Sequence, residues 1–291
     1  MSLSIVVESW NTDGRIDRVL AQLAPQVGDA QVVVTHAGLT AAQRRSAETR
    51  LRRPIHWVEL ARDAGYYDHK NRGFHASTGD IVAFLDGDTD PSPGWLAALT
   101  APFADGAQVV AGKTSYPGAL AALGTELDFP LFAAETPGCV RAFFANNVAF
   151  RREVFAARRY PELPMFHGQC QVLALQLRAA GIAIRFAADA RVTHAWPDDL
   201  ADWLEVRLLR GADTRSLLPH LIEAYAPVAL PAVRRLGALP ALALLGVRAA
   251  TGVAHAVRRG PRLRGLGLVA AVTVADALGA AAAPAVYRWI A

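Results

Sequence analysis

Apolar runs alternate with helically spaced apolar residues through the first part of the chain. Runs at 3–7, 32–34 and 81–85 are typical of buried strands. Between them, residues 15–24 carry apolar side chains at helical spacing, and residues 41–51 are predicted to form a second helix. Strands that alternate with helices predict an α/β fold built on a mainly parallel sheet flanked by helices.

The composition changes after residue 215. From Leu217 onward the sequence is rich in Ala, Leu, Val, Gly and Pro, and periodic strand patterns are replaced by long apolar segments. We therefore predict two parts: an α/β domain over residues 1–215 and an apolar helical tail over residues 216–291.

The predicted tail contains two apolar segments separated by a basic one. Residues 236–250 contain one arginine, and residues 258–264 contain four. Residues 266–287 contain only one charged residue, and this segment of 22 residues is long enough to cross a bilayer. If both segments crossed, the arginines would lie opposite a cytoplasmic domain, against the positive-inside rule. We expect a peripheral or re-entrant tail on the cytoplasmic face of the membrane. The alternative is a soluble helical appendage or dimer contact.

Composition and charge limit the classes of partner. Hydrophobic residues make up 53% of the chain and charged residues 19%, and the net charge is +4. This charge is too small to indicate nucleic-acid binding, which typically shows a basic stripe with interleaved aromatic residues. Cys139 and Cys170 are the only cysteines, so no disulfide framework is expected. The oligomeric state is not indicated.

Two carboxylates follow the most apolar of the predicted strands. Asp86 and Asp88 come directly after the run 81–85, and Gly87 between them permits a tight turn. Ligands of open α/β sheets bind at the carboxyl ends of strands, and paired carboxylates can hold a hard divalent cation that accepts phosphate oxygens. The alternative is a solvated acidic turn, because such short motifs recur by chance.

The surrounding residues resemble the nucleotide-sugar-binding half of family 2 glycosyltransferases of the GT-A fold. The matching pattern comprises a Lys-Asn-x-Gly helix, a Gly-Asp pair, the apolar strand, Asp-x-Asp and Pro-Gly-Trp-Leu, here Lys70–Gly73, Gly79–Asp80, Ile81–Leu85, Asp86–Asp88 and Pro93–Leu96. The resemblance implies a GT-A fold with a C-terminal apolar helical tail. The Gln-x-x-Arg-Trp signature of processive synthases is absent from the sequence.

The resemblance also implies roles for individual residues. Substrate-binding roles fall on Trp10, Asn11, Lys70, Asn71, Asp86 and Asn147, with Lys70 near the diphosphate and Asn147 in the sugar or acceptor pocket. Ligation of Mn²⁺ or Mg²⁺ falls on Asp86, Asp88 and His194. One departure is that Thr35-His36 stand where the family has an Asp that contacts the nucleoside.

A second departure concerns the catalytic base. The family pattern has Glu-Asp ahead of a helix, and here Gln169 and Cys170 occupy these positions. A glutamine cannot accept a proton at useful pH, and a thiol with a pKa of about 8.5 needs surroundings that lower it. Three explanations remain open: Cys170 is the base or a nucleophile, another group such as His167 serves, or the chain has lost transfer activity.

The function implied by the resemblance is a metal-dependent, inverting transfer of a hexosyl or related group. The donor would be a nucleotide-diphosphate sugar and the acceptor a hydroxyl, and a membrane-associated tail suggests a lipid-linked or cell-envelope glycan. The alternative is a non-catalytic nucleotide-sugar-binding or scaffold protein with a degenerate base.

Overall fold

A computed structural model of the chain describes residues 1–9, 15–118, 120–128, 136, 138–259 and 262–290. The contacts divide it into two compact units. The first comprises Met1–Ser115, Phe132–Pro161 and Gln176–Ala195, and the second comprises Tyr116–Leu131, Glu162–Leu175 and Trp196–Ala291. The predicted division at residue 215 stays a prediction.

The strands all belong to the first unit. Within the described ranges they are β1 (Leu3–Ser9), β2 (Gln31–His36), β3 (His56–Glu59), β4 (Ile81–Asp86), β5 (Thr89–Pro91), β6 (Val109–Ser115), β7 (Cys139–Val140), β8 (Asn147–Arg151) and β9 (Ile184–His194). Its helices are α1 (Arg15–Leu23), α2 (Ala41–Leu51), α3 (Tyr66–Ala76), α4 (Trp95–Thr100), a 3-10 turn (Ala101–Phe103) and α6 (Arg152–Ala157).

The second unit is helical. Its described elements are α5 (Ala121–Asp128), α8 (Leu200–Tyr225), a 3-10 turn (Pro227–Ala229), α9 (Leu230–Arg235), α10 (Leu239–Arg259), α11 (Arg262–Ala281) and α12 (Ala283–Ile290). The helix α7 (Gln169–Ala179) has residues in both units.

The nine strands form one mixed sheet. Its order is β3-β2-β1-β4-β8-β6-β9-β5, with β7 paired to β9. The half formed by β3, β2, β1 and β4 is parallel, as predicted, whereas β8 runs antiparallel to both β4 and β6. The parallel half brings the carboxyl ends of β1 and β4 to one edge, because Glu8 lies beside Asp86 in the register.

The packing of α3 on the sheet depends on a glycine. A Cβ on Gly73 would lie 2.3 Å from Cγ1 of Val6 in β1, so any other residue would have to displace the Val6 side chain or the helix itself. The opposite side of the sheet is covered by α1, whose apolar face is Ile16, Val19, Leu20 and Leu23. The close approach of α3 brings its first turns to the carboxyl end of β4.

In the second unit, the predicted apolar segments form helices, as expected. The apolar stretch 266–287 is divided between α11, which ends at Ala281, and α12, which begins at Ala283. By length and composition alone, α10 and α11 are each long and apolar enough to cross a membrane, with mean hydropathies of 1.3 and 1.5.

The helices α8 and α11 touch through their backbones. A Cβ on Gly211 would lie 2.0 Å from the carbonyl oxygen of Asp276, and one on Gly279 would lie 2.1 Å from that of Leu208. Because glycine has no side chain, the two helices can approach until only main-chain atoms separate them.

A buried group of charges lies beside this contact. Arg207 of α8 pairs with Asp128 at 2.5 Å and with Asp276 at 2.9 Å, and Arg248 of α10 also pairs with Asp276. Burial raises the pKa of Asp128, but Arg210 and Arg207 outweigh burial and hold the pKa at about 2. The side chains of Arg207, Asp128 and Asp276 are nearly fully buried, so ion pairing must offset the free-energy cost of removing these charges from water.

Replacing Arg207 tests this dependence. We expect Arg207→Met to lower the free energy of unfolding of the second unit by about 3–5 kcal/mol, because Asp128 and Asp276 lose a buried partner. Arg191→Met is the matched control, since its ion pair with Asp189 is solvent-exposed and we expect little effect. Urea unfolding measures both variants, and equal stability losses would contradict the expectation.

The buried His69 predicts a pH dependence of stability. Burial lowers its pKa from 6.5 to about 4 in the folded protein, so the native ring stays neutral while the unfolded ring protonates. Its contribution is therefore complete above pH 6.5 and is lost as the pH falls towards 4, a difference of about 3 kcal/mol.

Urea unfolding at about pH 7 and about pH 4.5 measures this contribution. His69→Gln should lose less stability between the two pH values than the unmodified protein. His56→Gln, which changes an exposed histidine of β3, should retain the full loss. If His69→Gln keeps the same pH dependence as His56→Gln, the assignment to His69 is wrong.

Candidate active site

The site lies where β4 turns into β5. The amide of Gly87 donates to the carbonyl of Glu8 at 2.6 Å, and a Cβ on Gly87 would lie 2.8 Å from that oxygen. The turn therefore requires glycine between the two acids. It places Asp86 at the end of the strand and Asp88 in the turn, as the sequence pattern predicts.

The structure brings together the three residues predicted as metal ligands. One ligand atom from each of Asp86, Asp88 and His194 lies within 4.8 Å of the others. The pairing of β5 with β9 sets His194 opposite Thr89, and its Nε2 lies 3.6 Å from Oδ2 of Asp88. The Nδ1 of His194 lies 2.8 Å from the carbonyl of Ala195, so Nδ1 donates to this carbonyl and Nε2 is the ring nitrogen on the side of Asp88.

The electrostatics of Asp88 fit a cation. Its Oδ1 is buried and has no hydrogen-bond partner among the described residues. Burial raises the pKa of the Asp88 carboxyl, Asp86 raises it further, and His194 opposes both. Two carboxylates and one imidazole suit Mn²⁺ or Mg²⁺, with waters and phosphate oxygens completing the coordination.

Asp86 is held in place by two side chains of α3. The Lys70 ammonium lies 2.5 Å from Oδ1 of Asp86, and the Tyr66 hydroxyl donates to both carboxylate oxygens at 3.0 and 2.9 Å. Burial, followed by the charge of Asp86, raises the pKa of Tyr66, so the hydroxyl keeps its proton. Lys70 is fully buried against Asp86. Its predicted role near a diphosphate stays a prediction.

The two predicted asparagines are engaged with the protein. Asn71 donates through Nδ2 to the carbonyl of Tyr160 at 3.0 Å. Asn147 is buried, accepts from Nε1 of Trp95 at 2.9 Å and donates to the carbonyl of Ala190 at 2.9 Å. A substrate contact through the Asn147 amide would have to compete with these bonds. The substrate-binding roles of both residues stay predictions.

At the end of β2, His36 is buried rather than exposed to solvent. Its Nδ1 accepts from the amide of Leu39 at 3.2 Å, and its ring packs edge-on against Trp57 at 5.7 Å. Burial lowers the pKa of His36, so the ring is neutral. The predicted substrate-binding residues Trp10 and Asn11 lie outside the described residues.

The two candidates for the base differ in their surroundings. Cys170 is buried at the start of α7. His167 has a half-exposed side chain whose Nδ1 lies 3.0 Å from Oδ2 of Asp213. Asp213 also accepts from the amides of Phe166 and His167, at 3.0 and 2.9 Å, and from the Tyr287 hydroxyl at 2.9 Å. The catalytic roles of Cys170 and His167 stay predictions.

Sequence reasoning missed Asp213. It is a buried acid in the middle of α8, flanked by Ala212 and one turn beyond Leu209, and both of these residues are also buried. A carboxylate on the buried side of a helix needs a polar partner, and this signal could have marked Asp213 as a paired residue without naming the partner.

Comparison with known families agrees with this geometry. The pattern of Glycosyl transferase family 2 matches residues 4–155, which is more than half of the chain and contains Asp86 and Asp88. The chain belongs to glycosyl transferase family 2. No curated protein matches the sequence of this family 2 member.

Solved structures share the fold of this family 2 chain. A mannosyltransferase from Pyrobaculum calidifontis, in complex with GDP-Man and Mn²⁺, is 21% identical with a TM-score of 0.64, covering 96% of this chain and 86% of its own. Glucosyl-3-phosphoglycerate synthase from Mycobacterium tuberculosis, in complex with Mg²⁺ and UDP, is 22% identical with a TM-score of 0.54, covering 77% and 79%. The GT-A fold and the family resemblance are thus confirmed.

Removing one carboxylate tests the metal site. We expect Asp88→Asn to weaken Mn²⁺ binding by at least about tenfold, because a neutral amide replaces a charged ligand. Asp90→Asn is the matched control: it lies two residues further on and pairs with Arg18 instead. Calorimetric titration with Mn²⁺ measures both variants, and equal affinities for Asp88→Asn and the unmodified protein would exclude this site.

Proposed function

We propose that this chain transfers a sugar from a nucleotide-diphosphate sugar to an acceptor hydroxyl, in a reaction that depends on Mn²⁺ or Mg²⁺. The observation that carries the proposal is the cluster of Asp86, Asp88 and His194 at the carboxyl end of β4. The solved structures of similar fold support this proposal, because they contain nucleotide sugars together with Mn²⁺: GDP-Man in one and UDP-Glc in another.

The residues around the cluster would prepare it for this chemistry. Lys70 and Tyr66 fix the orientation of Asp86 before any ligand binds, and Ala195 fixes the tautomer of His194. A bound cation would supply positive charge that stabilises the leaving diphosphate. Because Lys70 balances the charge of Asp86, much of the cation's charge would remain available to the diphosphate.

The base in this proposal is His167. Asp213 accepts from the Nδ1 proton of His167, a bond that favours the tautomer whose Nε2 lone pair can accept a proton from an acceptor hydroxyl. Cys170, which is buried at the start of α7, is the second candidate. A base acting on the acceptor hydroxyl accords with inversion at the anomeric carbon. We expect the transferred group to be a hexosyl group.

The acceptor we propose is a lipid-linked or cell-envelope glycan, used at the cytoplasmic face of the membrane. The two apolar helices α10 and α11 support a membrane location for the second unit. An acceptor carried in the membrane would give a membrane-bound enzyme a high local concentration of substrate.

The competing function is nucleotide-sugar binding without transfer. It is favoured by Gln169 and Cys170, which occupy the positions where the family pattern has Glu-Asp. In this case the metal cluster would bind a donor, and no acceptor would be glycosylated.

Nucleotide diphosphate release distinguishes the two functions. The purified chain is incubated with Mn²⁺, a panel of nucleotide sugars and candidate lipid acceptors. We expect release that Asp88→Asn abolishes, Asp90→Asn and Cys170→Ala retain, and His167→Gln reduces by about a hundredfold. A metal-dependent thermal shift with a donor, but without release or transfer, would overturn transfer in favour of binding.

A further inference from the structure

We propose that the outer side of the α10–α11 hairpin is a docking surface for an anionic lipid bilayer, with both helices lying in the membrane plane. The inference rests on the membrane location proposed above and adds how the second unit meets the lipid. We call this surface the outer side and define it as the solvent-exposed positions of Leu239–Val257 and Leu263–Ala281.

The outer side is apolar along nearly its whole length. On α10 its large members are Leu239, Leu244, Val247, Val253 and Val257, and the exposed positions between them are alanine, glycine and threonine. On α11, Leu263, Val274 and Leu278 are 87%, 61% and 59% exposed, and every exposed residue from 267 to 281 is glycine, alanine, valine or leucine. Contiguous apolar surface of this extent is typical of a membrane or protein contact.

The inner sides of the two helices are already occupied. The small residues Ala241, Gly252 and Ala256 of α10, with Gly265 and Gly279 of α11, face other helices of the second unit. The helix α10 contacts α11, and the inner sides of the two helices are packed against α8 or α5, which leaves the exposed positions of both helices available for one docking surface. Lipid can therefore reach the outer side without disturbing the helix packing.

The buried ion pairs argue against a spanning hairpin. Asp276 of α11 pairs with Arg207 of α8 and Arg248 of α10, so moving the hairpin into the bilayer would either break these pairs or carry α8 with it. The helix α8 also bears exposed Asp202 and Glu205, which are costly inside hydrocarbon. If only the outer side enters the membrane–water interface, the ion pairs stay intact and the charges of α8 stay out of the hydrocarbon.

The charge at the hairpin selects the kind of lipid. Arg258, Arg262 and Arg264 are exposed at the end where α10 passes into α11, and Arg234 and Arg235 are exposed just before α10. Arginines therefore flank the apolar surface at both ends. In an in-plane orientation, exposed arginines at the ends of the apolar surface would lie at the depth of the lipid head groups, which favours anionic lipid.

Vesicle co-sedimentation of the full chain tests the inference. We expect binding to vesicles of phosphatidylcholine mixed with phosphatidylglycerol, weaker binding to phosphatidylcholine alone, and a loss as salt is raised. Leu263→Glu combined with Leu278→Glu should lower partitioning by about a hundredfold. The matched control is Leu200→Glu with Leu204→Glu, two leucines of α8 that are 70% and 41% exposed, and it should bind normally.

Further outcomes decide the mode of binding. Release of bound protein by alkaline carbonate supports in-plane seating, and retention in the pellet would overturn it in favour of spanning helices. A solution dimer that Leu263→Glu with Leu278→Glu dissociates, without vesicle binding by the unmodified chain, would assign the outer side to a second copy. Melting temperatures check that each variant folds.

This test is independent of transfer, because vesicle binding is measured without donor. Loss of nucleotide release with intact vesicle binding counts against the proposed function alone. Normal release in solution with no vesicle binding counts against the inference alone.

Discussion

The ion pair between Lys70 and Asp86 is the interaction on which the site depends. Asp86 closes the central strand with almost no solvent around it, and a carboxylate in that position is stable only when a cation neutralises it. Gly73 lets α3 approach the sheet closely enough for Lys70 to do so, and Tyr66 completes the hydrogen bonding. The packing of α3 on the sheet thus determines whether an ionised Asp86 is stable at the end of β4.

The second unit also contains buried charges, which are stabilised by a group of ion pairs between helices. Its helices bury charged groups that the apolar sequence around them cannot solvate, and they do so by placing Arg207 between two aspartates. The backbone contact at Gly211 and Gly279 sets the distance at which this is possible. Specific polar pairs of this kind define one arrangement of otherwise interchangeable apolar helices, because sliding by one turn would leave the charges unpaired.

Local patterns in the sequence were sufficient to predict the parallel half of the sheet and the acidic turn. The helix predicted over 41–51 has the same limits in the structure, and Asp86, Asp88 and His194 come together as the family resemblance implies. These features follow from short-range periodicity and from a motif in register.

What the sequence could not predict depends on contacts between distant residues. The pairing of Lys70 with Asp86, and the amide bonds that engage Asn147, arise only when α3, β4 and β9 are assembled. Residues 113–140 lack clean periodicity, yet they contain α5 and Asp128 of the buried ion group. Asp213 was overlooked because its partners, His167 and Tyr287, lie far away in the chain.

The pairing of β5 with β9 gives the metal cluster a role in folding as well. Asp88 and His194 lie about a hundred residues apart along the chain and meet only because the short edge strand β5 pairs with the end of β9. An ion bridging them would act as a removable cross-link that closes this long loop, and its binding energy would add to the stability of the first unit. Binding of the ion and stabilisation of the β5–β9 pairing would then be thermodynamically coupled.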